Sequence, residues 1–354
     1  MKTVFLLGWV GLAGFGLAAP QASEGPPVLQ KVAELLAGEG AGAVTWTDFA
    51  VEPGGRVFLL DGANVDVHVY SDAGALLRKK RFAGRGPGEF APAPRIHALP
   101  GEFWLIAGGH LARFSAAGKR LLEERGQSGT RWQIPIDART VLALVEDFDP
   151  VARRWRSRLN LTDLRRGKTL KTLLEGHDLG GLLLDTDGQP TRVRLAEGIL
   201  PDIHATYSLG EKRIYCGFTH GSDVLCFNAQ GDFQSRTLLR NDTQLLGDAE
   251  REGIAAALGI QDEGRKKTLF ARLPGRLANI VRCQPLDDSY LLVEKLGPGC
   301  RKRLFAYPRK WGPGIELEVP GGGTVERAIC QGSRVFLLLN GAGGSRLVTC
   351  RVTL

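Results

Sequence analysis

The chain of 354 residues has a net charge of +8, with 43% hydrophobic and 24% charged residues, the balance of an ordinary folded protein. That balance excludes intrinsic disorder, and beyond the extreme N-terminus no segment is long and apolar enough to cross a bilayer. Length alone admits two or three average domains or one large repeat domain, so internal repetition has to decide.

Residues 1–22 place Lys2 ahead of an apolar run to about Ala19 and end in small residues, the layout of a cleavable secretory signal peptide. The run is short for an anchor, and no basic cluster follows it to halt transfer. A periplasmic or extracellular destination is therefore expected, with no integral membrane span in the mature chain. No cysteine stands near the cleavage region to carry a lipid. In a cytosolic chain the positive charge would suggest nucleic acid, but export removes that partner. The runs RKKR (78–81), RRWRSR (153–158) and RKR (301–303) also lack any aromatic stacking module around them. They read as a solvated outer face, with attraction to anionic envelope polymers as the functional rival.

PVLQKVAELLAG at 27–38 reads as a strand with no local partner, although VAELLAG also suits a helix. After it one pattern recurs: RVFLLDGANVDVHVYSDAGALLRKKRF from 56, EFWLIAGGHLARFSAAGKRLLEE from 102, and RIYCGFTHGSDVLCFNAQGDFQSRTLL from 213. Each gives an apolar strand, a loop, a second strand ending near an aromatic residue, a glycine turn and a third strand. Gly74, Gly118 and Gly231 share one place in that unit. Weaker copies begin at 140, with Gly167 at the turn, at 289 and at 333. A further short strand precedes each copy: TDFAVEP at 47, PRIHALP at 94, WQIPID at 132, PDIHATYS at 201, ANIVRCQ at 278 and VERAICQ at 325.

Four strands in a unit of roughly 40 to 50 residues is the period of a β-propeller. The expected fold is all-β: a six-bladed β-propeller of four-stranded antiparallel blades over 27–354, with blades near 43–86, 93–128, 131–176, 200–243, 278–320 and 323–354. The last copy is one strand short, and the strand at 27–38 is expected to complete it, since an open ring would leave unpaired edges. A helical insertion is expected at 241–264, rich in Ala, Leu and Glu, with Asp242 or Thr243 as its N-cap.

Between the first two blades lies the passage Gly84, Arg85, Gly86, Pro87, Gly88, Glu89, Phe90, a forced turn from the rim to the centre. Phe90 can plug between blades, while Arg85 and Glu89 can satisfy backbone groups, a structural role. With this passage the chain resembles bacterial exported six-bladed β-propeller proteins related to NHL-repeat proteins, which carry a GPGEF stretch at this junction. The resemblance implies a six-bladed disc and no assigned activity. GQSG at 126–129 and GPG at 312–314 are at most remnants of the motif.

All six cysteines fall late in the chain, at 216, 226, 283, 300, 330 and 350. Cys216 and Cys226 are equidistant from Gly221 in a strand–turn–strand stretch, which predicts a cross-strand disulfide. Four of the six histidines occupy matching places: His97 and His204 begin first strands, and His110 and His220 end second strands. Neutral imidazoles converging on a channel could hold a divalent metal, the cofactor considered for this chain, and the resulting alternative function is a metal-dependent lyase or hydrolase. His68 and His177 read as incidental. Asp61, Asn64, Glu146, Asp147 and Asn340 at loop positions could add oxygen ligands for calcium. No phosphate loop, dinucleotide fingerprint, nucleophile elbow or HExxH motif occurs. The main expectation is therefore a monomeric exported binding protein that recognises a protein, glycan or small molecule over one face.

Overall fold

A computed structural model describes residues 28–35 and 46–353, apart from 85, 91–93, 108, 126–127, 153, 180–181, 187–188, 194, 196–198, 241–244, 311 and 342–343. The expected signal peptide, residues 1–22, lies outside the described residues.

β1 (Val28–Leu35) comes first in the chain. Blade 1 is β2 (Asp48–Val51), β3 (Val57–Asp61), β4 (Asp66–Tyr70) and β5 (Leu76–Arg81). Blade 2 is β6 (Arg95–Leu99), β7 (Glu102–Ala107), β8 (His110–Ser115) and β9 (Arg120–Arg125). Blade 3 is β10 (Thr130–Pro135), β11 (Thr140–Asp149), β12 (Arg154–Asp163) and β13 (Lys168–His177), followed by a separate hairpin of β14 (Leu182–Thr186) and β15 (Gln189–Val193). Blade 4 is β16 (Ile203–Ser208), β17 (Arg213–Phe218), β18 (Asp223–Asn228) and β19 (Phe233–Leu238). After α1 (Asp248–Ala257) and α2 (Glu263–Arg272), blade 5 is β20 (Arg282–Pro285), β21 (Tyr290–Leu296), β22 (Lys302–Pro308) and β23 (Ile315–Leu317). Blade 6 is β24 (Thr324–Gln331), β25 (Arg334–Gly341) and β26 (Gly344–Thr353), with β1 as its outermost strand.

The protein is thus a six-bladed β-propeller whose N-terminal strand closes the ring. β1 pairs antiparallel with β26 from Val28 opposite Thr353 to Leu35 opposite Leu347, with one irregularity between Lys31 and Ala33. The radial pattern follows composition. VFLLD of β3 and DVHVY of β4 are buried throughout, whereas LLRKKR of β5 is exposed throughout, because neighbouring blades cover a sheet's middle strands on both faces and leave its rim to solvent. The shared turn glycines Gly74, Gly118 and Gly231 have φ of 83°, 77° and 83°, a left-handed conformation that a side chain would strain.

A separate apolar core fills each of the six seams. Phe58, Phe82 and Phe103 join blades 1 and 2; Trp104 and Val145 join blades 2 and 3; Leu161 and Ile214 join blades 3 and 4. Val224 and Leu291 join blades 4 and 5, Leu304 and Val335 join blades 5 and 6, and Phe49 and Leu338 close blade 1 on blade 6. A fully buried Phe or Leu contributes about 1.5–3 kcal/mol, so no blade is stable without its two neighbours.

Two sequence expectations need correction. The insertion is two helices, reaching Arg272 rather than ending near 264, and α1 opens after Gly247; Asp242 and Thr243 lie outside the described residues. α2 has one buried residue, Leu269, so its polar sequence carries little periodic signal, although Asp262 caps it by accepting from the Arg265 N–H at 2.8 Å. The expected Cys216–Cys226 bridge fails on register. Cys216 lies opposite Leu225 and Cys226 opposite Tyr215. A slip of one residue sends the two thiols to opposite faces of blade 4, Cys216 toward blade 3 and Cys226 toward blade 5. All six cysteines are free thiols.

Candidate functional site at the axial mouth

First strands of adjacent blades touch one another, β24 with β2, β2 with β6, and β16 and β24 with β20, so they surround the axis. Every blade runs in the same sense, which gathers onto one face the starts of the first strands, the second-to-third-strand turns and the connections between blades. That face carries the helical insertion, the β14–β15 hairpin and the tip of the long β11–β12 hairpin, where Val151 is 94% exposed. Leu200, Ile254, Ala255, Leu269, Leu273, Leu277 and Val281 pack the helices onto blades 4 and 5.

Each first strand also opens on charge. Asp48 of blade 1 is 1% exposed and pairs with Arg327 of blade 6, while accepting from the backbone N–H of Ile96 in blade 2 at 3.0 Å and of Phe49 at 3.0 Å. Burial alone would raise the Asp48 carboxyl, but Arg327 and Arg95 beside it, with the Ile96 N–H, hold it below its ordinary value. For Arg327 the balance reverses. Burial pushes the guanidinium down, and Arg282 and Arg95 add to that push against the single charge of Asp48. On the other side of the ring Arg131 forms a two-pronged pair with Asp202 at 2.8 Å and reaches Glu146 at 3.1 Å. Burial would lower this guanidinium, but the two carboxylates raise it overall. Between blades 5 and 6 the Gln284 amide donates to the Ala328 carbonyl at 2.9 Å and accepts from the Cys330 N–H at 2.9 Å. These polar bonds tie consecutive inner strands together.

The four histidines take separate places. His97 stays among the axial charges: burial first, then Arg327, Arg95 and Arg282 against Asp48, drives its pKa to about 3, so the ring is neutral. His204 is buried on β16 opposite Gly217, where a Cβ would stand 2.4 Å from the Asp223 backbone oxygen and 3.0 Å from the His204 Nε2, so glycine makes room for both. His110 leaves the axis. It meets the Glu123 carboxylate at 3.0 Å and stacks on Phe90, with centroids 4.5 Å apart. His220 donates from Nε2 to the Arg276 carbonyl at 3.1 Å and accepts at Nδ1 from the Thr219 hydroxyl at 3.1 Å, so it anchors the helical insertion to blade 4. Burial lowers its pKa against that carbonyl contact. Among the described residues no three His, Cys, Asp or Glu side chains are grouped as ligands for a metal ion.

The remaining sequence candidates have local partners. Asp61 accepts from Asn64 Nδ2 at 2.7 Å, Asp147 meets Arg156 and Arg158 at 2.6 and 3.2 Å, Glu146 faces Arg131 and Ser157, and Asn340 meets Ser345. In the GPGEF passage the Glu89 carboxylate accepts from the Gly86 N–H at 2.7 Å, the Glu89 N–H donates to the Gly86 carbonyl at 3.0 Å, and Phe90 is 1% exposed between blades 1 and 2. Arg85 lies outside the described residues.

Sequence reasoning followed the histidines and passed over Asp48, Arg95, Arg131, Asp202, Arg282 and Arg327. The signal was present, since each of the stretches TDFAVEP, PRIHALP, WQIPID, PDIHATYS, ANIVRCQ and VERAICQ contains one of these charges or directly follows one.

No family model matches the chain, and no curated protein matches it in sequence. Among solved structures it is similar to a Bacteroides fragilis protein assigned as exported, at TM-score 0.57 and 10% identity, covering 94% of this chain and 98% of that one. It is also similar to a member of the DUF4221 family from Bacteroides vulgatus, at TM-score 0.53 and 12% identity, covering 93% and 98%. At such identities the likeness shows the propeller fold alone.

Proposed function

We propose that the chain is an exported binding propeller, delivered by the signal peptide at residues 1–22 and belonging with the NHL-like GPGEF proteins, that recognises its ligand at the axial mouth and the elaborated face around it. One observation carries this reading: the helices, the extra hairpin and the long β11–β12 tip all depart from the same face, the one on which the charged inner strands open. A purely structural disc has no need to place its additions on one side, whereas loops on a rigid scaffold are the usual carriers of recognition. Of the histidines, His97 and His204 stay on the inner strands and belong to this site; His110 and His220 act as structural anchors. The reading is binding, by a monomer, of a protein, glycan or small molecule.

The test is retention on immobilised protein from fractionated envelope material, comparing the wild-type chain, a Val151→Asp/Leu245→Asp double variant of the elaborated face, and Lys119→Asp on the opposite face. Val151 and Leu245 are 94% and 67% exposed, so folding should survive their replacement. Retention that the double variant loses and Lys119→Asp keeps supports the reading. Equal retention by all three proteins, or none by any, overturns it.

A further inference from the structure

We propose that Phe148, Trp155 and Phe218 form a stacking platform at the top of the seam between blades 3 and 4, with Arg131, Glu146 and Asp202 at its inner end, and that this platform takes an uncharged oligosaccharide. The proposal rests on the reading of the elaborated face as the recognition surface and names the ligand class that this part of it holds.

The platform is set by register. Between β11 and β12, Phe148 stands opposite Trp155 and Glu146 opposite Ser157, so these four side chains share one face of the long hairpin. Leu144, on the same face, packs into the core between blades 3 and 4, so that face looks toward blade 4. Ser157 is in turn opposite Gly176 of β13. A Cβ at Gly176 would stand 2.5 Å from Leu179 Cδ1 and 3.0 Å from the Phe218 ring, so the ring from blade 4 reaches across to the outer strand of blade 3. Toward the axis Arg131 meets Glu146 at 3.1 Å and Asp202 at 2.8 Å, and the Asp202 N–H donates to the hydroxyl of Thr219, next to Phe218, at 2.9 Å. These contacts link the three rings and the charged group into one surface spanning two blades.

Three properties select the ligand. The rings are presented to solvent and held in place: Phe148 is 48% and Phe218 38% exposed, and Phe148 meets the half-buried Trp155 edge to face with centroids 5.6 Å apart. An aromatic side chain buries about 150–250 Å² in all, so three partly covered ones offer far less than the roughly 800 Å² that a protein partner covers on each side. That area suits a few pyranose rings, whose C–H faces lie against the electron-rich face of an aromatic ring. Charge decides between neutral and acidic sugars. The arginines of RRWRSR at 154, 156 and 158 alternate onto the other face of the hairpin, where Asp147 pairs the last two, and Arg131 is bracketed by two carboxylates. The platform therefore repels a polyanion, while Asp202, with its side chain 20% exposed, keeps oxygen lone pairs for a sugar hydroxyl.

The experiment titrates the full mature chain by calorimetry with cellotetraose in one arm and tetra-N-acetylchitotetraose in the other, and with tetragalacturonate as the anionic counterpart. At least one of the two uncharged probes should bind saturably at one site per chain. Phe148→Ser/Trp155→Ser should weaken that affinity by about tenfold or more, the loss of two stacking rings. Phe148→Tyr/Trp155→Phe keeps both rings and should retain most of it, which separates a lost platform from a damaged hairpin. Phe218→Ser tests the blade 4 side in the same way should the hairpin variant alter folding. Phe233→Ser removes a 58% exposed ring from the rim of blade 4 and should leave the affinity unchanged. Binding of neither uncharged probe, tighter binding of tetragalacturonate, or equal affinity in the serine variants and the wild type overturns the proposal. Failure here with face-dependent retention intact removes the oligosaccharide platform and leaves the recognition surface standing; loss of face-dependent retention alone removes the broader reading.

Discussion

Replacing Asp48 by alanine should destabilise the ring at the seam where it closes. The carboxylate is 1% exposed and joins three blades, through Arg327 of blade 6, its own β2 in blade 1 and the Ile96 N–H of blade 2. Removing it leaves a guanidinium only 12% exposed without its carboxylate, and a buried N–H without an acceptor. Breaking one partner out of a buried pair costs about 3–5 kcal/mol, a figure that already contains most of the orphaned N–H cost of about 1–3 kcal/mol. Against a total stability of roughly 5–15 kcal/mol that is a large fraction. Asp48→Asn keeps an oxygen in place and loses only the charge, so it should fall between the wild type and Asp48→Ala. Urea unfolding near neutral pH measures both, and the Asp48→Ala/Arg327→Ala double variant should cost less than the sum of its single variants. The pH dependence is fixed in sign. Because the folded carboxyl is held below its ordinary 3.8, its contribution is complete above that value and disappears as pH falls through the lower folded one. The gap between wild type and Asp48→Ala should therefore be constant near neutrality and close only in acid. A cost under about 1 kcal/mol, or strict additivity with Arg327→Ala, would refute the seam argument.

His97 gives a second pH signature: its folded pKa of about 3 lies below the ordinary 6.5, so stability is complete above 6.5 and declines as pH falls toward 3, and His97→Gln should flatten that slope in urea titrations across the window. The six thiols should all alkylate after unfolding without any reductant, giving the mass of six adducts; a mass that reaches six only after reduction would restore a disulfide. Leu29, 4% exposed in the seam of blades 5 and 6, should cost about 2–5 kcal/mol on replacement by alanine and loosen β1, seen as faster amide exchange along β26. Gly217→Val should lower Tm more than Gly253→Val on α1, because an added Cβ at 217 would stand 2.4 Å from the Asp223 backbone oxygen and 3.0 Å from the His204 Nε2, whereas one at 253 meets nothing within 4 Å.

The blade repeat was legible because blades 1 to 4 share one local chemistry: two largely buried central strands, a more exposed rim strand and a glycine at a left-handed turn. Gly74, Gly118 and Gly231 mark that turn in the letters as plainly as in the angles. Ring closure was legible for a related reason, since a final unit short of one strand and an unpaired segment at 27–38 have only each other. The strand register in blade 4 was not. Counting outward from Gly221 put Cys216 opposite Cys226, but the turn centres half a residue earlier, and in a structure of period two that half-step exchanges the faces. His110 and His97 look equivalent in the sequence, yet one stacks on Phe90 at the blade junction and the other sits among the axial arginines. Local pattern determined the elements and their number, because strands and turns depend on neighbours in sequence. Which side chains meet at the axis was decided only in three dimensions, because Asp48 and Arg327 come together only when the ring closes.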